Sequence, residues 1–127
     1  MIVCSVGGGG LLRGLQLGLE QVGWTDVTLL AVETEGAASY AAAQAAGFKV
    51  VSLPAITSIA SSLGALAVTP AVLSPSPVTT VSYTVSDAEA VAACLHFADN
   101  YRYSYDFMVG ATNILLFRLF QSLYNCF

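Results

Sequence analysis

The chain has 127 residues, a net charge of −4, 56% apolar residues and 9% charged residues, where a soluble domain ordinarily carries about 25% charged residues. The length fits one domain, and four basic and eight acidic residues are few for the roughly 6,400 Å² that a folded chain of this size exposes. Either other protein covers much of this surface, or the chain meets a membrane, or it is a piece of something larger. Disorder is excluded, because disordered chains are poor in apolar residues and rich in net charge. General nucleic-acid binding is excluded too: Arg13, Lys49, Arg102 and Arg118 are scattered and form no basic patch for phosphates.

Ile2 to Val6 is rich in β-branched residues and reads as a buried strand. As a leader it is too short, lacks basic residues and runs into Gly7–Gly10. Leu11, Leu12, Leu15, Leu19 and Val22 form a helical stripe that Gly23 stops. Gly14 and Gly18 share a face of that helix, which predicts close approach to a neighbour. Val27 to Val32 is a second buried strand, ending at Glu33. Ala37 to Ala46 is a small-residue helix closed by Gly47. Lys49 to Leu53 is a third strand candidate, Thr57 to Leu63 a short helix, Pro70 to Pro77 a loop and Val78 to Val85 a fourth strand. Ser86-Asp87-Ala88-Glu89 is a capping box that opens a helix through Val91, Cys94, Leu95 and Ala98. Strands alternating with helices predict an α/β fold with a parallel sheet and flanking helices.

Cys4, Cys94 and Cys126 are odd in number, widely spaced and without a C-x-x-C pair, so they suggest neither a metal site nor a disulfide framework, and a reducing compartment is the default. His96 reads as a helix-surface or half-buried histidine. Tyr101, Tyr103, Tyr105, Phe107, Phe117 and Phe120 read as packing aromatics, with no interleaved basic run for base stacking. Mean hydropathy is +0.72, yet Pro54, Pro70, Pro75 and Pro77 break the long uncharged middle. Arg118, Asn113, Gln121 and Asn125 interrupt the tail from Phe107 to Phe127, so no membrane span is expected.

Four glycines between a strand and a helix each cost roughly 0.5–1 kcal/mol of backbone entropy relative to alanine. The loop is worth keeping where backbone must come close to a ligand. Amides at a helix N-terminus favour an anion, and the carboxyl end of a parallel strand is where α/β sheets bind ligands. A phosphate is therefore expected at Gly7–Gly10. Leu11-Leu12-Arg13 do not supply the Lys-Ser/Thr of a P-loop. Gly7 and Gly9 fit two places of a dinucleotide fingerprint, with Leu12 at the third and Glu33 imitating the ribose-binding acid. A NAD-type dinucleotide-binding module is thus one alternative. A membrane-associated or interaction protein built on residues 101–127 is another.

Several blocks together resemble one family. They are Ser5-Val6-Gly7-Gly8-Gly9-Gly10-Leu11-Leu12, Val22-Gly23-Trp24, Val32-Glu33-Thr34-x-Gly36-Ala37, Val51-Ser52-Leu53-Pro54-x-Ile56-Thr57-Ser58, Ser62-Leu63-Gly64 and Val85-Ser86-Asp87-x-Glu89-Ala90-Val91. In this order they resemble the animal L-serine dehydratase / L-threonine deaminase family, pyridoxal 5'-phosphate (PLP) enzymes with a tryptophan-synthase-β-like fold. The resemblance implies part of the large PLP-binding domain over residues 1–100 and a divergent tail over 101–127. It implies that Gly7, Gly8, Gly9, Gly10 and Leu11 receive the cofactor's phosphate. It implies a monovalent cation, typically K+, at Gly7, Glu33, Ala37, Leu63 and Ala65. Without the resemblance, Glu33 reads as an ordinary strand-end acid at the surface. The implied reaction is deamination of L-serine or L-threonine to a 2-oxo acid and ammonia, by a cytoplasmic homodimer.

Two departures stand out. The family's Schiff-base lysine lies well upstream of the glycine loop and has no counterpart here, so no catalytic residue is assigned. The one lysine, Lys49, reads as a solvated charge, and the chain alone is expected to be inactive. Past the Ser86 helix, the family's Val-Glu-Pro-x-Cys-Gly-like turn is also missing. Gly110-Ala111 lack its neighbours and Cys126 is not given its role. The chain reads as a truncated product or one with an alternative tail.

Overall fold

The computed structural model describes residues 1–101; beyond Tyr101, the last residue of α3, the tail expected over 101–127 lies outside the described residues, Cys126 and Arg118 included. The elements in chain order are β1 (Ile2–Ser5), α1 (Gly10–Gln21), β2 (Leu29–Thr34), α2 (Ser39–Ala45), a short 3₁₀ helix (Pro70–Leu73), β3 (Thr80–Val85) and α3 (Asp87–Tyr101). The strands form one parallel sheet in the order β1-β2-β3, with Ile2 opposite Leu29 and Leu29 opposite Thr80. The parallel α/β architecture expected from the sequence is present.

Every residue of the central strand β2 is buried, which is why it reads as a continuous apolar run rather than an alternation. Its two faces feed two cores. On one, Cys4, Leu29 and Ala31 pack with Leu12 and Leu19 of α1 and Tyr40 and Ala43 of α2. On the other, Leu30, Val32 and Val85 pack with Ala90 and Ala93 of α3. Helices thus cover both faces, as parallel sheets require.

Three local expectations fail. Residues 49–53 form no strand; their run is largely exposed, and Leu53 N–H bonds the Leu66 carbonyl at 2.7 Å. β1 and β3 already occupy both edges of β2, so no edge of the central strand is free to pair that segment. Residues 57–63 form turns instead of a helix. The Ser58 hydroxyl accepts the Ala60 N–H at 3.1 Å, and such side-chain bonds compete with helical ones. Gly14 and Gly18 have no atom within 4 Å of where a Cβ would stand, so no described neighbour packs there. Within the expected Pro70–Pro77 loop, Pro70 opens the 3₁₀ helix, a position where its missing N–H costs nothing.

The capping box forms as read. Ser86 N–H and Oγ meet Glu89 Oε2, both at 2.9 Å, and Glu89 N–H donates to Ser86 Oγ at 3.3 Å. Ser86→Ala is expected to cost about 1 kcal/mol by chemical denaturation; an unchanged midpoint would contradict this role. Among the described residues no helix is long and apolar enough to cross a membrane.

Candidate cofactor site

The glycine loop joins the carboxyl end of β1 to the N-terminus of α1. Val6 N–H donates to the Val32 carbonyl at 2.9 Å, holding the loop's entry on the sheet. Gly9, with φ +84°, turns the chain into α1, a conformation that L side chains rarely adopt. The first helical bond runs from Arg13 N–H to the Gly9 carbonyl at 2.9 Å. The N–H groups of Gly10, Leu11 and Leu12 therefore have no intrahelical acceptor.

The loop is braced from behind and open in front. A Cβ on Gly7 would collide with the Leu63 carbonyl oxygen, and one on Gly9 would stand 2.9 Å from Val72 Cγ1. Thr69 N–H donates to the Gly8 carbonyl at 2.9 Å. Gly8 and Gly10 are exposed, and a Cβ on either would meet nothing within 4 Å. The first turn of α1 carries no acidic side chain to oppose an anion at the positive end of the helix dipole. This open backbone surface fits a phosphate.

Glu33 departs from two of the expectations made for it, the surface acid and the ribose-binding acid. It is neither at the surface nor open to a ligand's hydroxyl: it is 0% exposed. Its Oε1 accepts Tyr40 N–H and its Oε2 accepts Ala41 N–H, both at 2.8 Å. The carboxylate thus satisfies first-turn donors of α2 from the end of β2, a capping role normally taken by a residue next to the helix. Burial pushes its carboxyl above the ordinary value, and the amides of Tyr40, Ala41 and Ser39 pull it back. A ribose contact, the basis of the dinucleotide alternative, is closed off because both oxygens are committed inside the core.

Of the positions implied for a cation, Gly7 and Leu63 are brought into contact. Ala37 is buried, and its N–H closes a turn on the Thr34 carbonyl at 3.0 Å, next to Glu33. Ala65 is half-buried, just beyond Leu63. Among the described residues no group of three or more His, Cys, Asp or Glu side chains could hold a metal ion. A cation here would depend on carbonyl oxygens, which suits a hard ion. Composition and periodicity gave no sign of two orphaned hydroxyls beside Glu33, Thr34 Oγ1 and Ser39 Oγ, both buried without a partner.

The remaining candidates stay away from the loop's chemistry. Lys49 is exposed and follows α2, and a helix returning from the carboxyl end of β2 delivers the chain to the opposite end of the sheet from the glycines. His96 is half-buried on α3. Burial pushes the Cys4 thiol up, as for a small core residue that stays unreactive.

A parallel sheet covered on both faces, with a glycine loop leading from its first strand into a helix, is the frame of an α/β protein of the kind that binds ligands at the carboxyl ends of its strands. The sequence profile of the family described as "Pyridoxal-phosphate dependent enzyme" matches residues 1–121. The chain belongs to that family. It is 50% identical over 102 residues to human "L-serine dehydratase/L-threonine deaminase", covering 78% of this chain and 30% of the relative. It is 48% identical over 102 residues to rat "Serine dehydratase-like", covering 80% and 31%. The crystal structure of a fungal L-serine ammonia-lyase from Rhizomucor miehei superposes with a TM-score of 0.84 at 36% identity, over 96% of this chain and 39% of that one. Maize serine racemase superposes with a TM-score of 0.77 at 25% identity, over 89% and 35%. The chain spans about 30% of the length of the curated relatives it matches.

Proposed function

We propose that this chain supplies the phosphate-binding wall of a PLP-dependent L-serine/L-threonine ammonia-lyase. One observation carries the reading: at the carboxyl end of β1 the N–H groups of Gly10 and Leu11 precede the first helical bond, and Gly8 and Gly10 are exposed with open space where a Cβ would stand. Bound there, PLP supplies an electron sink for bond cleavage at an amino acid's α-carbon. The chain's own part is to bind and orient. The loop amides donate to the phosphate, the α1 dipole favours its charge, and Gly9's left-handed turn leads the chain from the loop into α1. Leu63 and Val72 hold the loop's back, so little reorganisation is needed when the anion arrives.

A K+ ion belongs to the same reading. The Leu63 carbonyl oxygen beside Gly7 supports it, an oxygen donor of the kind a hard cation takes. The amine that anchors the cofactor comes from outside these 127 residues, because Lys49 is exposed and follows α2. The reading extends to a cytoplasmic homodimer. Leu11, Val22 and Trp24 are 65%, 61% and 58% exposed, apolar surface that further protein would cover.

Titrating the chain with PLP and with pyridoxal, which lacks the phosphate, tests the proposal. PLP is expected to bind at least about tenfold more tightly, a difference of about 1.4 kcal/mol. Equal affinities would remove the cradle as a phosphate site. NAD is expected not to bind, and pyruvate is not expected to accumulate from L-serine with the chain alone.

A further inference from the structure

The turn behind the glycine loop is held from an unexpected direction. Asp87, the first residue of α3, reaches across to residues 58 and 59. Its Oδ1 accepts the Ser58 hydroxyl at 2.6 Å and its Oδ2 accepts Ile59 N–H at 3.1 Å. Ser58 Oγ in turn accepts Ala60 N–H at 3.1 Å. The Ala60 carbonyl then takes Leu63 N–H at 3.0 Å and Gly64 N–H at 3.2 Å. That turn delivers the Leu63 carbonyl oxygen against Gly7. A second anchor lies beside it, where Thr57 N–H donates to the Gly36 carbonyl at 3.0 Å.

The capping box does not need Asp87. Ser86 and Glu89 exchange their own bonds, and both Asp87 oxygens are turned to another segment. Asp87 begins the helix that covers the far face of the sheet. Its carboxylate therefore ties that layer to the back of the cofactor loop.

We propose that Asp87 is a positioning residue for the cofactor's phosphate: by fixing Ser58 and Ile59 it sets the turn whose Leu63 carbonyl braces Gly7. The proposal rests on the phosphate-cradle reading above. The Leu63 carbonyl oxygen leaves no room for even a methyl on Gly7, so a shift of the turn toward the loop moves Gly7. A shift of Gly7 misdirects the amides that follow it, and preorganised donors lose affinity when their support is left loose.

The test uses the full 127-residue chain, titrated with PLP and with pyridoxal. Asp87→Ala and Ser58→Ala are expected to weaken PLP binding about tenfold, the usual scale for removing a support behind a binding group, and to leave pyridoxal binding unchanged. Asp87→Asn keeps one acceptor and is expected to fall between them and the parent. Asp99→Ala, an exposed acid on the same helix, is expected to change neither. If Asp87→Ala fails to fold by circular dichroism, Ser58→Ala and Asp87→Asn decide the matter. Variants that melt earlier but keep the parent's preference for PLP make Asp87 a purely structural residue and overturn the proposal. A parent chain that does not prefer PLP overturns the phosphate cradle itself, and the role of Asp87 with it.

Discussion

Glu33→Ala is expected to lower the folding free energy by about 3–5 kcal/mol. Two α2 amides lose their acceptor inside the core, at about 1–3 kcal/mol each, and a cavity replaces the side chain. That is a large share of the roughly 5–15 kcal/mol a domain ordinarily holds, so the variant should be largely unfolded at modest denaturant. Glu33→Gln keeps the shape and one acceptor, and is expected to cost about 1–2 kcal/mol. It also gives a pH signature. Burial raises the folded-state pKa of Glu33 above the ordinary 4.5, so the folded chain holds the proton more tightly than the unfolded one. The stability contributed by that proton is full below pH 4.5 and is lost as pH rises through the higher folded value. The stability gap between parent and Glu33→Gln should therefore shrink as pH rises from about 4 upward. Urea midpoints across that range check it. A constant gap would mean that the carboxyl titrates as it does in the unfolded chain.

Glu33 also shows where the sequence stops being legible. A lone acid after an apolar run reads as a surface charge or imitates a ribose ligand, and only the family resemblance implies a cation ligand there. Its bonds go to Tyr40 and Ala41, and nothing in the run Ala37 to Ala46 announces that its helix lacks a local cap. The α2 N-cap position is Ala38, which makes no side-chain bond. Ser39 stands one place too late to cap the helix it begins, and its hydroxyl finds no partner, so the first-turn amides depend on a distant acceptor. Strands β1 and β2 and helices α1 and α3 were legible because period and punctuation agree there. Residues 49–64 were not. Their short β-branched and serine-rich runs fit a strand or a helix locally. What decides them is long-range: Leu66, Gly36 and Asp87 take their backbone and hydroxyl bonds. The glycine loop stood out as a candidate site because the entropy spent on four glycines needs a reason that composition cannot give. Which glycines brace the loop and which face outward was not, since that depends on Leu63 and Val72, both more than fifty residues away.

That division of labour predicts opposite behaviour at neighbouring positions. Gly9→Ala is expected to cost about 2–4 kcal/mol, because the left-handed φ strains any L side chain and the methyl is forced onto Val72. Gly7→Ala is expected to cost about 1–3 kcal/mol, since the Leu63 carbonyl oxygen can yield only if its whole turn moves. Gly8→Ala and Gly10→Ala meet open space, and neither position has a left-handed φ. Both should leave stability within about 0.5 kcal/mol of the parent or raise it slightly, by narrowing the unfolded ensemble. Binding should invert the order. A methyl at position 8 or 10 enters the space where the phosphate would stand, so PLP affinity should fall about tenfold or more in chains that melt like the parent. Denaturation and PLP titration on the same four variants separate stability from recognition. Should Gly8→Ala and Gly10→Ala bind PLP as tightly as the parent, the open side of the loop is not where the anion sits.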